Sequence, residues 1–495
     1  MPGRREITRF GYSAFAVVSL LLNGWFPAAT PARAEPPVSR PNVLIIMPDQ
    51  WRGQDLGCAG NRDVQTPNLD RLASQGVFFR NAFANTPVCC PARAIMLTGT
   101  YAHKNGMIAN DLRLRESETT IAEILKAGGY RTGYVGKWHL DGGKRDPGFV
   151  PPGPRRQGFD YWAASECSHN HFHPTYFRDT DAPITEDRFE PEVWTDRAIE
   201  FLNRGGDEPF FLVTSMGPPH DPYGAPEKYM KLYDPARLTM RPNWVEGTTG
   251  GGRKAVAAYY AALTAVDDQV GRLLKALDDS GKADDTIVVF VSDHGAMLGS
   301  HGERLKRKPW EESIRVPLIV RWPSRIKPGR KSDSLISHVD LAPTLLKLCG
   351  RPVPAAMQGT DLSAMVSGGV ERGPDSVFFQ IFVPFQGDGT PNPWRGVRTE
   401  RAMYARTEAG PWVLYDLEND PYELKNLADD PARAALRESM ETKLTDWMSR
   451  TGDSWALNSM EPVEDAGRLY RHRTFYTIQE YLDWARTHPE ADSRK

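Results

Sequence analysis

The chain has 495 residues, with 61 Lys plus Arg against 63 Asp plus Glu and a formal charge of −2. A composition of 40% hydrophobic and 25% charged residues is ordinary globular usage, which excludes a disordered, collagenous or polytopic membrane chain. The balanced charge excludes a global field for nucleic acid or an anionic membrane, and five cysteines are too few and too odd for a disulfide framework.

The length fits two or three domains, or one large α/β domain with an appendage. Residues 1–34 read as a signal peptide: Arg4, Arg5 and Arg9 precede a short apolar run from Ala14 to Leu22, and Pro31-Ala-Arg-Ala34 ends in a small-residue cleavage site. An uncleaved anchor is the alternative. Arg4-Arg5 fits a twin-arginine signal only loosely. No later stretch approaches the ~18 apolar residues of a membrane helix, so the mature protein is expected to be exported, periplasmic or secreted, with no stable membrane association.

Asn42 to Met47 is a continuous β-branched run that reads as a buried parallel strand ending in Pro48-Asp49-Gln50. Helical patterns follow at Thr66–Gln75 and Thr119–Ala127, a strand at Arg131–Val135, a helix at Glu192–Leu202 and a strand at Pro209–Ser215. Arg253–Asp279 carries the longest helical pattern, closed by Gly281. Asp285–Val291 is a second buried strand, running into Ser292-Asp293-His294-Gly295, and Arg315–Trp322 is another. The alternation predicts an α/β domain over 35–370, a large, mostly parallel sheet flanked by helices. Beyond Val370 the pattern changes. Ser376–Pro384 and Trp394–Leu417 read as short antiparallel strands, and Ala432–Ser449 as an amphipathic helix, which makes 371–495 a small α+β subdomain.

In open α/β sheets ligands sit beyond the carboxyl ends of the strands. Two strands here end in polar pairs, Asp49-Gln50 and Asp293-His294. Two carboxylates, an amide oxygen and an imidazole suit one hard divalent cation, Ca²⁺, Mg²⁺ or Mn²⁺. Each Asp alone would equally serve as a cap for the turn after its strand. A second signal is Cys89-Cys90-Pro91-Ala92-Arg93, which opens a helix and offers backbone amides and an Arg to an anion. Taken bare, the two cysteines read equally well as a vicinal disulfide or inert thiols.

On these motifs the chain resembles the type I, formylglycine-dependent sulfatases of the alkaline-phosphatase-like superfamily. Cys89-Cys90-Pro91-Ala92-Arg93 is similar to the C-x-P-S/A-R signature. Along the mature chain Asn42–Arg52, Thr66–Ala73, Gly136-Lys137-Trp138-His139-Leu140, Pro218-Pro219-His220 and Ser292–Gly295 look like successive family landmarks. So do Lys306 to Trp310-Glu311, Arg315–Pro317, Val339–Thr344 and Leu414–Leu417 with Asp420-Pro421.

The resemblance implies an alkaline-phosphatase-like fold and hydrolysis of sulfate esters to an alcohol and sulfate. Cys89, with Pro two places on, would be oxidised to formylglycine by a separate formylglycine-generating enzyme. Its hydrate would attack sulfur through one hydroxyl and expel sulfate through the other, which frees a nucleophile that a plain Ser or Cys would leave as a stable ester. The resemblance assigns Asp49, Gln50, Asp293, His294 and residue 89 to the cation, Ca²⁺ first. Gln50 and His294 stand where many relatives carry Asp and Asn. It assigns Arg93 to the diol, and Lys137 and Lys306 to the sulfate oxygens. His139 would act as base in the elimination and His220 would serve the leaving alcohol. Lys308 competes with Lys306 within the charge run Glu303–Lys308.

His169, His171 and His173 form a local cluster that reads as one wall of a substrate pocket or as a polar surface loop. With Trp162 it would suit a sulfated carbohydrate, and a sulfated small aryl or alkyl molecule is equally open. A phosphonate monoester or phosphodiester hydrolase on the same fold is one rival reading, and a non-catalytic binding protein another. Nucleic acid is not expected as a partner.

Overall fold

The computed structural model describes residues 40–142, 147–370, 372–382 and 392–455. The signal-peptide reading of residues 1–34 falls outside the described residues.

An eight-stranded sheet forms the centre, in the order β10-β2-β9-β8-β1-β7-β3-β4. The strands are β1 (Asn42–Asp49), β2 (Val77–Phe83), β3 (Arg131–Lys137), β4 (Tyr161–Ser165), β7 (Phe210–Pro219), β8 (Thr286–Val291), β9 (Arg315–Arg321) and β10 (Arg330–Ser337). Only β9 runs against its neighbours, so the sheet is mostly parallel, as the alternation predicts. β5 (Thr175–Tyr176) and β6 (Ile184–Thr185) pair in a small separate ribbon.

The continuous apolar runs of β1 and β8 are explained by burial on both faces. Val43 and Met47 of β1 join one core cluster while Leu44 and Ile46 join the other. In β8, Ile287, Val289 and Val291 face the first and Val288 and Phe290 the second. The helix Arg253–Asp279 packs on the second face, and the helices Cys89–Thr98, Ile121–Ala127 and Leu341–Leu348 on the first.

Three strands of the central sheet escape the sequence reading. β10 opens with the polar run Arg330-Lys-Ser-Asp-Ser because it is an edge strand. Arg80 and Asn81 interrupt the apolar run of β2, and β4 is only five residues long. β7 also continues past its expected end at Ser215 to Pro219. A register shift at Pro48/Asp49 sets Asp49 opposite Pro219, beside His220.

The C-terminal strands β11 (Ser376–Ile381), β12 (Trp394–Thr399), β13 (Ala402–Thr407) and β14 (Gly410–Asp416) form an antiparallel sheet in chain order, followed by the helix Ala434–Thr451. Its apolar face buries Phe379, Trp394, Met403 and Tyr415 against Phe83, Val88 and Ile314. Val88 is the residue before Cys89, so this sheet supports the helix that carries Cys89. Trp394 Nε1 donates to the Arg307 carbonyl at 2.8 Å, which also fixes the loop that carries Lys306.

Candidate active site

Four adjacent strands, β8, β1, β7 and β3, end on one edge of the sheet and deliver polar residues there. β8 is followed by Asp293 and His294, β1 ends in Asp49 before Gln50, β7 leads into His220, and β3 ends in Lys137 before His139. Cys89 enters from the first turn of the helix Cys89–Thr98. All eight residues are buried, as are Arg93 and Lys306.

Cys89 Sγ lies 3.3 Å from Lys306 Nζ, 3.3 Å from His294 Nε2 and 3.9 Å from Asp49 Oδ1. His294 Nδ1 donates to the Gly295 carbonyl at 2.8 Å, so its Nε2 lone pair faces the centre. Asp49, Cys89, Asp293 and His294 offer ligand atoms that all lie within 4.8 Å of one another. The Gln50 side chain shares Lys306 with Cys89. Its Oε1 accepts from Lys306 at 3.2 Å, its Nε2 donates to Tyr223 at 3.2 Å, and its backbone amide donates to Asp293 Oδ1 at 3.0 Å.

Arg93 bridges the two carboxylates, donating to Asp49 Oδ2 at 3.1 Å and Asp293 Oδ2 at 2.9 Å, with Ser215 and the Lys137 carbonyl as further acceptors. Lys137 Nζ donates to Asp49 Oδ2 at 2.7 Å. Burial raises Asp49, and Lys137, His220 and Arg93 outweigh it and hold the carboxyl well below the usual range. Asp293 is pushed up by burial and by Asp49 beside it. Burial also raises the Cys89 thiol, yet Lys306 and Lys137 bring it well below an ordinary cysteine. The site is thus built to hold negative charge at residue 89.

Lys308 turns away from this centre and pairs with Glu303 at 3.2 Å, while Lys306 is the one of the two that reaches Cys89. Cys90 and Cys89 are free thiols. Cys90 points to the Asp111 amide at 3.3 Å, and burial raises its thiol.

Asp111 escapes the sequence reading. Its Oδ1 lies 3.1 Å from His139 Nε2. Burial disfavours the charged ring, but the Cys167 and Cys90 thiols and this hydrogen bond leave His139 well above an ordinary histidine. The positive φ of 67° at Asp111 marks it out in the structure, and Asn110-Asp111 carries no spacing signal in the sequence.

The histidine cluster divides. His171 Nδ1 meets Glu190 Oε2 at 2.6 Å and its Nε2 meets the His220 carbonyl at 2.9 Å, so the ring bridges the two. Glu190 also accepts from Gly217 and Trp194, which ties the end of β7 to this pair. His169 stacks flat on His220, and exposed His173 pairs with Asp187 at 2.5 Å. Trp162 is not a sugar platform: it is 2% exposed and stacks on Tyr134 in the core.

The sulfatase family profile matches residues 41–351, and that of the N-sulphoglucosamine sulphohydrolase C-terminal region matches 299–450. An ulvan-active sulfatase of Formosa agariphila is 40% identical over 426 residues, 84% of this chain and 83% of that protein. The structure named as BT4656 with its substrate D-glucosamine-2-N,6-O-disulfate superposes with a TM-score of 0.77 at 25% identity, covering 85% of this chain and 100% of that one. Phosphonate monoester hydrolase of Agrobacterium radiobacter superposes with a TM-score of 0.70 at 27% identity, over 83% and 96% of the two chains. The chain belongs to the sulfatase family, with the alkaline-phosphatase-like fold. It is an enzyme that hydrolyses sulfate esters.

Proposed function

We propose that the protein is an exported carbohydrate sulfatase that works through formylglycine at residue 89 and one divalent cation, Ca²⁺ first and Mg²⁺ or Mn²⁺ otherwise. The observation that carries this reading is the convergence of Lys306, His294 and Asp49 on Cys89 Sγ at the head of a helix. That sulfur stands where a hydroxyl oxygen of the hydrated aldehyde would stand. The carbohydrate reading draws on the ulvan-active relative and on the glucosamine disulfate in the related structure.

The donor set suits a hard cation. Asp49 and Asp293 are fully buried acceptors, and the lone pair of His294 Nε2 is freed by the Gly295 hydrogen bond. Asp49, Asp293, His294 and residue 89 would hold the ion, with Gln50 beside them. A cation there would draw charge from the sulfate and acidify the attacking hydroxyl.

The chain's own residues supply the rest. Arg93 keeps Asp49 and Asp293 in place and would steady the diol on residue 89. Lys137 and Lys306 are fixed cations in a water-poor pocket, suited to the charge that grows on the sulfate oxygens. His139, oriented by Asp111, takes the proton from the spare hydroxyl as sulfate leaves. Lys306 and His220, in hydrogen-bond contact, serve the leaving alcohol. Maturation needs a formylglycine-generating enzyme as a partner.

Kinetics on matched aryl sulfate, phosphonate and phosphodiester substrates test the reading. The sulfate ester is expected to give the highest kcat/KM. A preference for the phosphonate would move the assignment to the activity named for the Agrobacterium relative.

A further inference from the structure

The segment from β4 to β5 lies against the His220 turn and is not used by the reaction as described. His171 fixes the His220 carbonyl from within the fold. His169 covers the His220 ring, with centroids 4.4 Å apart and planes 8° from parallel. Unlike His220, His169 is only half-buried, so one edge reaches the outside while its face touches the ring that serves the leaving alcohol. Three residues on, Phe172 is 42% exposed and stands beside Gly224, close to the Tyr223 that holds Gln50.

We propose that His169 is a specificity-determining residue: it hydrogen-bonds a neutral hydroxyl on the carbon next to the sulfate ester, and Phe172 offers an apolar face to the same sugar. This rests on the carbohydrate sulfatase reading. The stacking distance sets the placement. A group bonded to the His220 side of the pocket by its ester oxygen presents its neighbouring substituent to the next ring over. Burial, then His220 and Lys137, hold His169 far below an ordinary histidine, so it stays neutral. A neutral imidazole donates at one nitrogen and accepts at the other, which matches a hydroxyl. A carboxylate or a second sulfate would call for a cation there. Phe172 adds contact area without charge, and sugars have C–H faces to match it.

The test is a cycle between enzyme and substrate. The sugar is the 2-, 3- or 4-O-monosulfated hexose, 6-deoxyhexose or N-acetylhexosamine with a free hydroxyl on an adjacent carbon that the wild-type enzyme turns over fastest, paired with its analogue lacking that hydroxyl. Removing the hydroxyl should cost the wild-type enzyme about tenfold in kcat/KM, the worth of one lost neutral hydrogen bond with its partner left unpaired. The same removal should cost His169→Phe, which keeps the stacked ring, less than about twofold. His169→Gln, which keeps a donor and an acceptor, should recover part of the discrimination. Turnover of 4-nitrophenyl sulfate shows that each variant is folded and matured. Equal losses in wild type and His169→Phe would overturn the proposal. Turnover of the aryl sulfate with none of any sugar sulfate would overturn it too, and would leave sulfate ester hydrolysis standing.

Discussion

Lys306 Nζ lies 3.1 Å from His220 Nε2, and the other nitrogen of the ring fixes the direction of that hydrogen bond. His220 Nδ1 meets the Asp221 carbonyl at 2.7 Å, an acceptor only, so Nδ1 carries the hydrogen and Nε2 accepts from the ammonium. Burial and then Lys306 lower the pKa of His220. On the proposed reading, this Lys306–His220 contact is the path by which a proton reaches the leaving alcohol.

His220→Ala should slow the first step most where the leaving group needs a proton. A general acid contributes ~10²–10⁴-fold, so the loss should approach that range on sugar sulfates and shrink on activated aryl esters. Lys306→Ala should show the same dependence on the leaving group. Measuring kcat/KM against leaving-group pKa for both variants checks this; equal losses across the series would restrict both residues to positioning sulfate.

Cys89→Ala should abolish turnover with the fold intact, and Cys90→Ser should keep most activity. Only Cys89 has Pro at +2 and Arg at +4, and only its Sγ meets Lys306 and His294. Circular dichroism with an aryl sulfate assay distinguishes the two. An active Cys89→Ala with a dead Cys90→Ser would reverse the assignment.

The pairing of His139 with Asp111 has a pH signature. As a base His139 must be neutral, and its pKa is raised above the ordinary ~6.5, so turnover should rise with pH through that higher value. Asp111→Asn removes a raising partner. The acid limb should move to lower pH while kcat falls ~10²-fold or more, because the ring loses its orienting carboxylate. An unmoved acid limb in the kcat profile would assign it to another group.

Exhaustive chelation should remove activity, and Ca²⁺, Mg²⁺ or Mn²⁺ should restore it better than Zn²⁺, since the donors are mostly hard oxygens. Asp293→Ala should be inactive whatever metal is added. Full activity in a protein shown by elemental analysis to be metal-free would contradict the proposed cation.

Stability away from the site rests partly on Arg395 and Asp453, both buried and paired through the guanidinium. Burial raises Asp453, but Arg395 lowers it further, so the net shift is down. The pair's contribution is present above the unfolded carboxyl value of ~3.9 and is lost as pH falls through the lower folded value. Asp453→Asn leaves a buried cation uncompensated and should cost about 3–5 kcal/mol in urea denaturation at neutral pH. An unchanged midpoint would show that the pair is dispensable.

Legibility followed how local each signal is. β1, β8 and the helix Arg253–Asp279 were readable because burial on both faces, or a long periodic stripe, leaves its mark within a few residues. Asp49, Asp293, Lys137 and Cys89 were readable because they sit at strand ends or in a compact motif. Glu190 and His171 are 19 residues apart and meet only in the fold, so nothing in sequence marked their clamp on His220. Glu303–Lys308 reads as one solvated charge run; a left-handed turn at Arg307, φ 73°, separates buried Lys306 from Lys308. Trp162 reads as a sugar-stacking aromatic, yet the chain folds it into the core against Tyr134.

The most direct test of the account is the mass of the peptide that contains residue 89, taken from His139→Ala protein after exposure to 4-nitrophenyl sulfate. The account predicts one burst of nitrophenol and a residue 89 that is the hydrated aldehyde plus SO₃, stalled because no base removes the proton that expels sulfate. Unmodified cysteine at residue 89 in a protein that still turns over substrate would contradict it.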